Sequence, residues 1–298
     1  MSGEKIIDNF IKQIDSMRVN IANGRPAFKK PLLLLLIISK IEHGILTSNI
    51  IRYQELEEEL SELILNYGGR SYSGSTKPNQ PFQYLNSSSF WHLSLANGEP
   101  VSSKIDISLK LLRDENTFAT IQQEVFSVLI SSANARARVA QFILQKWWTE
   151  TIQQELIEVL KLPIYQVISL QKRRNKDFTD QVLANYRYSC AVCGFSASLN
   201  KSVFGIDGAH IKWFSMDGPD SVENGLALCK THHWAFDKGA ISVSAINHKI
   251  LVTDKFIGRD KNSIEIIEGM KDKELMSYKD VEPAKQYLEW HNQHIFLG

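Results

Sequence analysis

Two short pairs of soft ligands constrain this chain more than any other feature. Cys190-Ala-Val-Cys193 is followed, 36 residues after Cys193, by Cys229-Lys-Thr-His232. A gap of two residues lets both side chains of one tight turn reach the same ion, and two such pairs make a tetrahedral Cys3His site for structural Zn2+. Gly194, directly after the first pair, suits the turn. The competing reading treats the cysteines as small buried hydrophobes, but it does not explain the spacing. A zinc site contributes folding free energy directly, so the stretch around 188–240 is expected to depend on its metal. The chain has no other cysteine, and three is an odd count, which argues against a disulfide framework.

The rest of the composition narrows the setting. At 298 residues the chain is long enough for two domains with separate cores. Its net charge of +1 gives no overall bias toward nucleic acid or membrane, so any basic surface must be local. The longest apolar run is Leu32 to Ile38, far short of the roughly 20 residues a membrane-spanning helix needs. The N-terminus lacks the basic-then-apolar pattern of a secretory leader, so a cytoplasmic location is expected.

Apolar periodicity supplies the elements. Ile6, Ile7, Phe10, Ile11, Ile14 and Met17 have helical spacing. Pro31 suits the first turn of a buried helix from Leu32 to about Glu42, and Leu56, Leu60, Leu63 and Ile64 mark a third helix over about 53–66. Residues 70–103, rich in Ser, Gly, Asn and Pro, predict loops and short strands. Helical patterns return at about 104–114, 118–131 and 134–160. Pro163 and the basic run Gln171 to Lys176 suggest a boundary, giving domains 1–165 and 166–298, the second with a core at 177–245. In that second part Phe178, Val182 and Leu183 predict a short helix, the segments at Ile241 and Ile250 predict strands, and a terminal helix is expected near 281–294. The fold class is α+β, with a mainly helical N-terminal domain.

A second pattern overlaps the zinc ligands. It comprises Asp207-Gly-Ala-His210, Asn224-Gly-Leu-Ala-Leu-Cys229, His232-His233 and Phe236-Asp237, with Asn224 14 residues after His210 and His233 nine after Asn224. Over about residues 172–245 the arrangement closely resembles the HNH nuclease family. The resemblance implies a ββα-metal fold, in which a hairpin and a following helix grip a divalent cation, and it implies DNA phosphodiester hydrolysis. In that scheme His210 takes a proton from water, which suits an imidazole, His233 holds the cation and Asn224 orients the hairpin or His210. Asp237 lies four residues after His233 on the same helix face and is a candidate second ligand. Asp207 is another candidate, because related nucleases carry an acidic residue just before the base. His232 and His233 are adjacent and diverge, one to zinc and one to the catalytic cation, for which Mg2+ or Mn2+ is expected and Ni2+ is able to substitute.

The N-terminal part carries a resemblance of its own. Lys29-Lys30-Pro31, the apolar run to Lys40, and Pro81-Phe82 with Leu85, Phe90 and Trp91 look like the sulfur-binding domain of modification-dependent (type IV) restriction endonucleases. There an N-terminal domain recognises phosphorothioate DNA and a C-terminal HNH module cuts nearby. Gln80-Pro81-Phe82 stands where that family has Tyr-Pro-Phe beside an apolar patch for the sulfur. A different modification, or unmodified DNA, stays open as the target. Arg25, Lys29, Lys30, Arg70, Lys77, Pro81, Arg173 and Arg174 are the candidate DNA contacts.

The expected function is therefore a metal-dependent endonuclease acting on modified double-stranded DNA, with no membrane partner. Cutting both strands calls for two HNH sites, hence a homodimer. The alternatives are a zinc-containing DNA-binding regulator with a silent HNH fold, and an effector that degrades DNA without specificity.

Overall fold

The computed structural model describes residues 2–22, 25–68, 76–99, 101, 106–164, 176–200 and 202–298. It divides into two compact units, residues 1–147 with 154–165 and residues 148–153 with 166–298.

The N-terminal unit is built around one buried helix. α1 (Gly3–Asp15) is amphipathic and buries Ile7, Phe10 and Ile14. A small hairpin, β1 (Asn20–Ala22) with β2 (Arg25–Ala27), leads into α2 (Lys29–Glu42), which is buried from Pro31 to Ser39. An all-round apolar helix must be covered on every side. Here α3 (Glu57–Tyr67), α4 (Asn79–Tyr84), α6 (Gln123–Ser131) and α7 (Ala133–Trp147) surround it. Between α4 and α6 lie β3 (Trp91–Ser94), the short α5 (Leu109–Leu112) and β4 (Phe118–Ile121). β3 and β4 pair antiparallel, Trp91 opposite Ile121 and Ser94 opposite Phe118.

Several elements differ from the sequence expectation, where hydrogen bonds and packing outweigh the local apolar pattern. Residues 118–121 form a strand rather than the start of a helix, because they pair with β3 while Asn49 holds both the N–H and the C=O of Ile121 (2.9 and 2.6 Å). Within the stretch expected to be loops and strands, residues 79–84 are helical, and Pro81 and Phe82 are buried. Phe82 meets Tyr53 and Trp91 edge-on, and Trp91 Nε1 donates to the Phe82 carbonyl (3.1 Å). The single helix expected over 134–160 is two, α7 and α8 (Glu150–Leu160), and at the break Gln153 Nε2 donates to the Trp148 carbonyl (2.7 Å).

The C-terminal unit contains the ββα order. α9 (Lys176–Asn185) precedes the cysteine turn, and a minimal hairpin follows, β5 (Ser198–Leu199) with β6 (Ser202–Val203). β7 (Ile206–His210) and β8 (Gly225–Cys229) pair antiparallel, His210 opposite Gly225 and Ile206 opposite Cys229. α10 (Lys230–Asp237) leaves β8 directly. The period-2 register puts Gly208, His210, Gly225 and Ala227 on one face of the hairpin. α9 lies over that face, with Phe178, Thr179 and Val182 as the nearest groups to Gly208 and Gly225. β9 (Ile241–Val243), β10 (Ile250–Val252), α11 (Lys261–Ile267) and α12 (Lys285–His294) complete the unit. Its core joins Phe178, Val182, Ala209, Leu226, Phe236 and Leu288. Among the described residues, no helix is long and apolar enough to cross a membrane.

Candidate active site and metal centre

The metal centre forms where the cysteine turn meets the start of α10. The ligand atoms of Cys190, Cys193, Cys229 and His232 all lie within 4.8 Å of one another, the spacing expected around one tetrahedral ion with bonds of about 2.3 Å to sulfur. Cys229 Sγ is 3.1 Å and Cys190 Sγ 3.7 Å from His232 Nδ1. The other ring nitrogen, Nε2, is 2.9 Å from the Ile266 carbonyl. That acceptor calls for a proton on Nε2, which leaves the Nδ1 lone pair facing the sulfurs. Gly194 closes the turn at φ +73°, with its N–H on the Cys190 carbonyl (2.8 Å). Three soft sulfurs and one imidazole suit Zn2+.

His210 ends β7 and is largely buried. Its ring stacks on Phe178 from α9, with centroids 4.0 Å apart and planes 14° apart. Nε2 is 2.7 Å from Asp220 Oδ1. A carboxylate acceptor calls for Nε2–H, so the lone pair of the neutral ring sits on Nδ1, which has no hydrogen-bond partner among the described residues. Burial lowers the His210 pKa, against the opposing pull of the Asp220 carboxylate.

Asn224 is fully buried and acts on the loop that follows His210. Its Oδ1 accepts from the Lys212 N–H (2.8 Å), and its Nδ2 donates to the carbonyls of Lys212 (3.0 Å) and Pro219 (2.9 Å). These three bonds fix the segment that delivers Asp220.

His233 points away from His232 and lies between two carboxylates. Nδ1 is 3.1 Å from Asp207 Oδ2, and Nε2 is 3.5 Å from Asp237 Oδ2. Burial works against a charge on His233, but Asp237 and Asp207 together outweigh it and raise its pKa. Asp207 also accepts from Lys230 Nζ at both oxygens (2.8 and 2.6 Å). Its own burial is outweighed by His233 and Lys230, which hold its carboxyl below the usual range. Asp237 is buried, which pushes its carboxyl up, and Thr149 Oγ1 donates to its Oδ2 (2.8 Å). Asp207, His233 and Asp237 thus contact one another only through His233. Their ligand atoms do not converge on one point, and among the described residues only the Cys3His set does so.

Asp220, Phe178, Lys230 and Thr149 complete this site, and no spacing in the sequence points to them. Lys230 has a partial signal, since it immediately precedes the second zinc pair on a short helix.

In the N-terminal unit, Lys29 and Lys30 open α2 and are half-buried along their stems. Lys29 Nζ donates to Gln80 Oε1 (3.2 Å), and Lys30 Nζ to the Arg18 carbonyl (3.3 Å). Burial lowers both lysine pKa values, and nearby Lys77 adds to the effect at Lys29. No ion pair involves Lys29, Lys30 or Lys77 among the described residues. Pro81 is buried within α4 rather than presented on a loop. Arg25 lies on β2. Arg70, Arg173 and Arg174 lie outside the described residues.

Comparison with known proteins agrees with this two-part organisation. Residues 7–165 match the family described as ScoMcrA-like, DNA sulfur-binding domain. Residues 190–244 match the family described as HNH endonuclease. No curated protein matches the sequence. Among solved structures, the sulfur binding domain of SprMcrA complexed with phosphorothioated DNA aligns at 15% identity and TM-score 0.46, covering 55% of this chain and 98% of that one. The corresponding domain of ScoMcrA aligns at 19% identity and TM-score 0.41, over 51% and 98%. The modification-dependent TagI restriction endonuclease aligns at 16% identity and TM-score 0.28, over 59% and 44%. The sulfur-binding match spans more than half of the sequence, so the chain belongs to the ScoMcrA-like DNA sulfur-binding domain family, and an HNH endonuclease domain follows that domain.

Proposed function

We propose that the protein is a divalent-cation-dependent DNA endonuclease, a restriction or defence enzyme that its N-terminal domain directs to modified DNA, phosphorothioated DNA first among the candidates. The observation that carries the catalytic half is the state of His210. Its Nε2–H is held by Asp220, its ring is clamped on Phe178, and its Nδ1 is left as the basic atom. A buried imidazole with a lowered pKa is neutral near neutral pH and ready to take a proton.

His210 removes a proton from a water molecule as the water oxygen bonds to phosphorus and the phosphorus–oxygen bond to the leaving sugar breaks. Asp220 then faces the imidazolium and stabilises its charge. His233 and a carboxylate neighbour fit the cation that an HNH site requires, because the buried Asp237 Oδ1 has no hydrogen bond of normal geometry among the described residues. When bound, the cation supplies Lewis-acid stabilisation of the charge that develops on the phosphate. Asn224 keeps Asp220 in place through the loop.

Support for the recognition half is the family match and the group of Lys29, Lys30 and Lys77, which have no ion-pair partner among the described residues and suit phosphate contact. Sulfur is less well hydrated than oxygen, so a desolvated patch beside such cations prefers it. A homodimer would supply two HNH sites to one duplex, one for each strand.

The test is cleavage of matched plasmids, phosphorothioated and unmodified, with Mg2+ or Mn2+ and with a chelator control. Cutting confined to the modified plasmid is expected. His210→Ala should lower the rate by about 10²–10⁴-fold while leaving DNA binding and zinc content unchanged. Equal cutting of both plasmids would refute the modification reading, and an unaffected His210→Ala variant would refute the assignment of the base.

A further inference from the structure

Two carboxylates flank His233, and their surroundings differ. Both oxygens of Asp207 are engaged by the Lys230 ammonium, and Oδ2 also meets His233 Nδ1. A divalent cation placed there would lie against a positive charge that already neutralises that carboxylate. Among the described residues, no lysine or arginine pairs with Asp237. Its Oδ2 accepts from Thr149 and the Thr151 hydroxyl also lies against the carboxyl, but its buried Oδ1 has no hydrogen bond of normal geometry among the described residues. Buried polar atoms are almost always paired, so an orphaned carboxylate oxygen calls for an ion or a catalytic role.

The imidazole gives the same answer. Asp207 accepts at Nδ1, which places the proton on that nitrogen and the lone pair on Nε2. Nε2 faces Asp237 at 3.5 Å, near the separation of about 3 Å between neighbouring ligands on a small octahedral cation. A carboxylate that orients a histidine from behind, with the metal in front, is a recurrent arrangement.

We propose that the catalytic cation is seated on His233 Nε2 and the Asp237 carboxylate, that Asp207 with Lys230 orients His233 without being a ligand, and that Thr149 is a positioning residue for Asp237. The proposal rests on the nuclease reading and refines it. Thr149 belongs to the C-terminal unit but lies well upstream of the matched HNH segment. The seat therefore depends on a residue that the HNH pattern does not contain.

The experiment is Mn2+ binding to the full-length, zinc-loaded protein, read by the electron spin resonance of free Mn2+ and run beside Mn2+-supported DNA cleavage. Asp237→Asn should weaken Mn2+ binding by more than about 100-fold. Asp207→Asn and Thr149→Val should each weaken it by about 10- to 100-fold, the usual effect of losing an outer partner, and Thr149→Ser should restore it. Asp207→Asn as damaging as Asp237→Asn, or Asp237→Asn binding like wild type, would overturn the seat. Should Asp237→Asn fail to fold, the Thr149 pair decides, because wild-type Mn2+ affinity in Thr149→Val overturns the positioning role and the seat with it. Wild-type protein that cuts DNA alongside an Asp237→Asn variant of unchanged affinity refutes this proposal alone. Wild-type protein that neither binds Mn2+ nor cuts refutes the nuclease reading as well.

Discussion

Gly208 lies two residues before His210, directly under α9. A Cβ at this position would lie 2.9 Å from Thr179 Cα and 3.4 Å from Val182 Cβ. Thr179 Cα is backbone, so no rotamer change relieves the contact. Carbon atoms settle at about 3.5–4.0 Å, so α9 would have to lift by roughly 0.6–1 Å. Overpacking of this kind costs about 1–3 kcal/mol. The φ of Gly208 is outside the left-handed region, so alanine would otherwise stabilise by about 0.4–1 kcal/mol through the unfolded chain. The two effects have opposite signs, which makes Gly208→Ala a decisive substitution. Hydrogen exchange of the α9 amides in the full chain reads the outcome, and a loss of about 1–3 kcal/mol appears as exchange about 5- to 150-fold faster. Phe178 rides on the same helix and stacks on His210, so DNA cleavage should fall too, by up to about 10²-fold for a displacement near 1 Å. Gly225→Ala is the companion, because its Cβ would collide with Val182 Cγ2, the end of a side chain. Val182→Ala should therefore relieve Gly225→Ala in part, the Phe178 ring still lying 3.1 Å from the new Cβ, and leave Gly208→Ala unrelieved. Slower α9 exchange in Gly208→Ala would refute the packing argument.

Three further outcomes are expected. Asp220→Asn removes the carboxylate that raises the His210 pKa against burial, so the acid limb of the cleavage rate should move to lower pH; a shift to higher pH would contradict the pairing. His291 is buried neutral, with Nδ1 2.7 Å from Ser242 Oγ and Nε2 3.1 Å from the Phe236 carbonyl, and burial pushes its pKa down to about 3. Below the unfolded value of about 6.5 only the unfolded chain takes up this proton, so stability should fall by about 1.4 kcal/mol per pH unit from there toward pH 3. Urea midpoints measured across that range should show a shallower slope in His291→Gln. Chelation of zinc should abolish exchange protection in α10 and, through the bond from His232 to the Ile266 carbonyl, in α11, while α2 keeps its protection.

What could be read from the sequence follows from how close in the chain the cooperating residues lie. The Cys3His set comes from one tight turn and the junction of β8 with α10, so spacing brings it into view, and His210, Asn224 and His233 lie within one hairpin and helix, a segment short enough for a family resemblance to carry them. Asp220 reaches His210 across a loop whose shape depends on the buried Asn224, and Thr149 reaches Asp237 from 88 residues away. Neither contact leaves a periodic trace. The two glycines under α9 carry no chemistry of their own, and their importance appears only once the helix is placed above them. The same reason explains β4, where Asn49 and β3 supply the hydrogen bonds that make a strand of residues with helical spacing.

His232 and His233 are consecutive residues of an eight-residue helix. A helix this short does not persist alone in water, so its anchorage at Cys190, Cys193 and Cys229 also sets the angle at which His233 is presented. Side chains reach about 5–6 Å from a helix axis, so a twist of roughly 10° at the zinc end swings the neighbouring imidazole by about 1 Å. With an ion held by the Cys3His set, the α10 backbone would be a lever with that ion at its fulcrum. On the proposed nuclease reading, a different ion in that centre, with other bond lengths or angles, would detune the reaction without taking a chemical part in it.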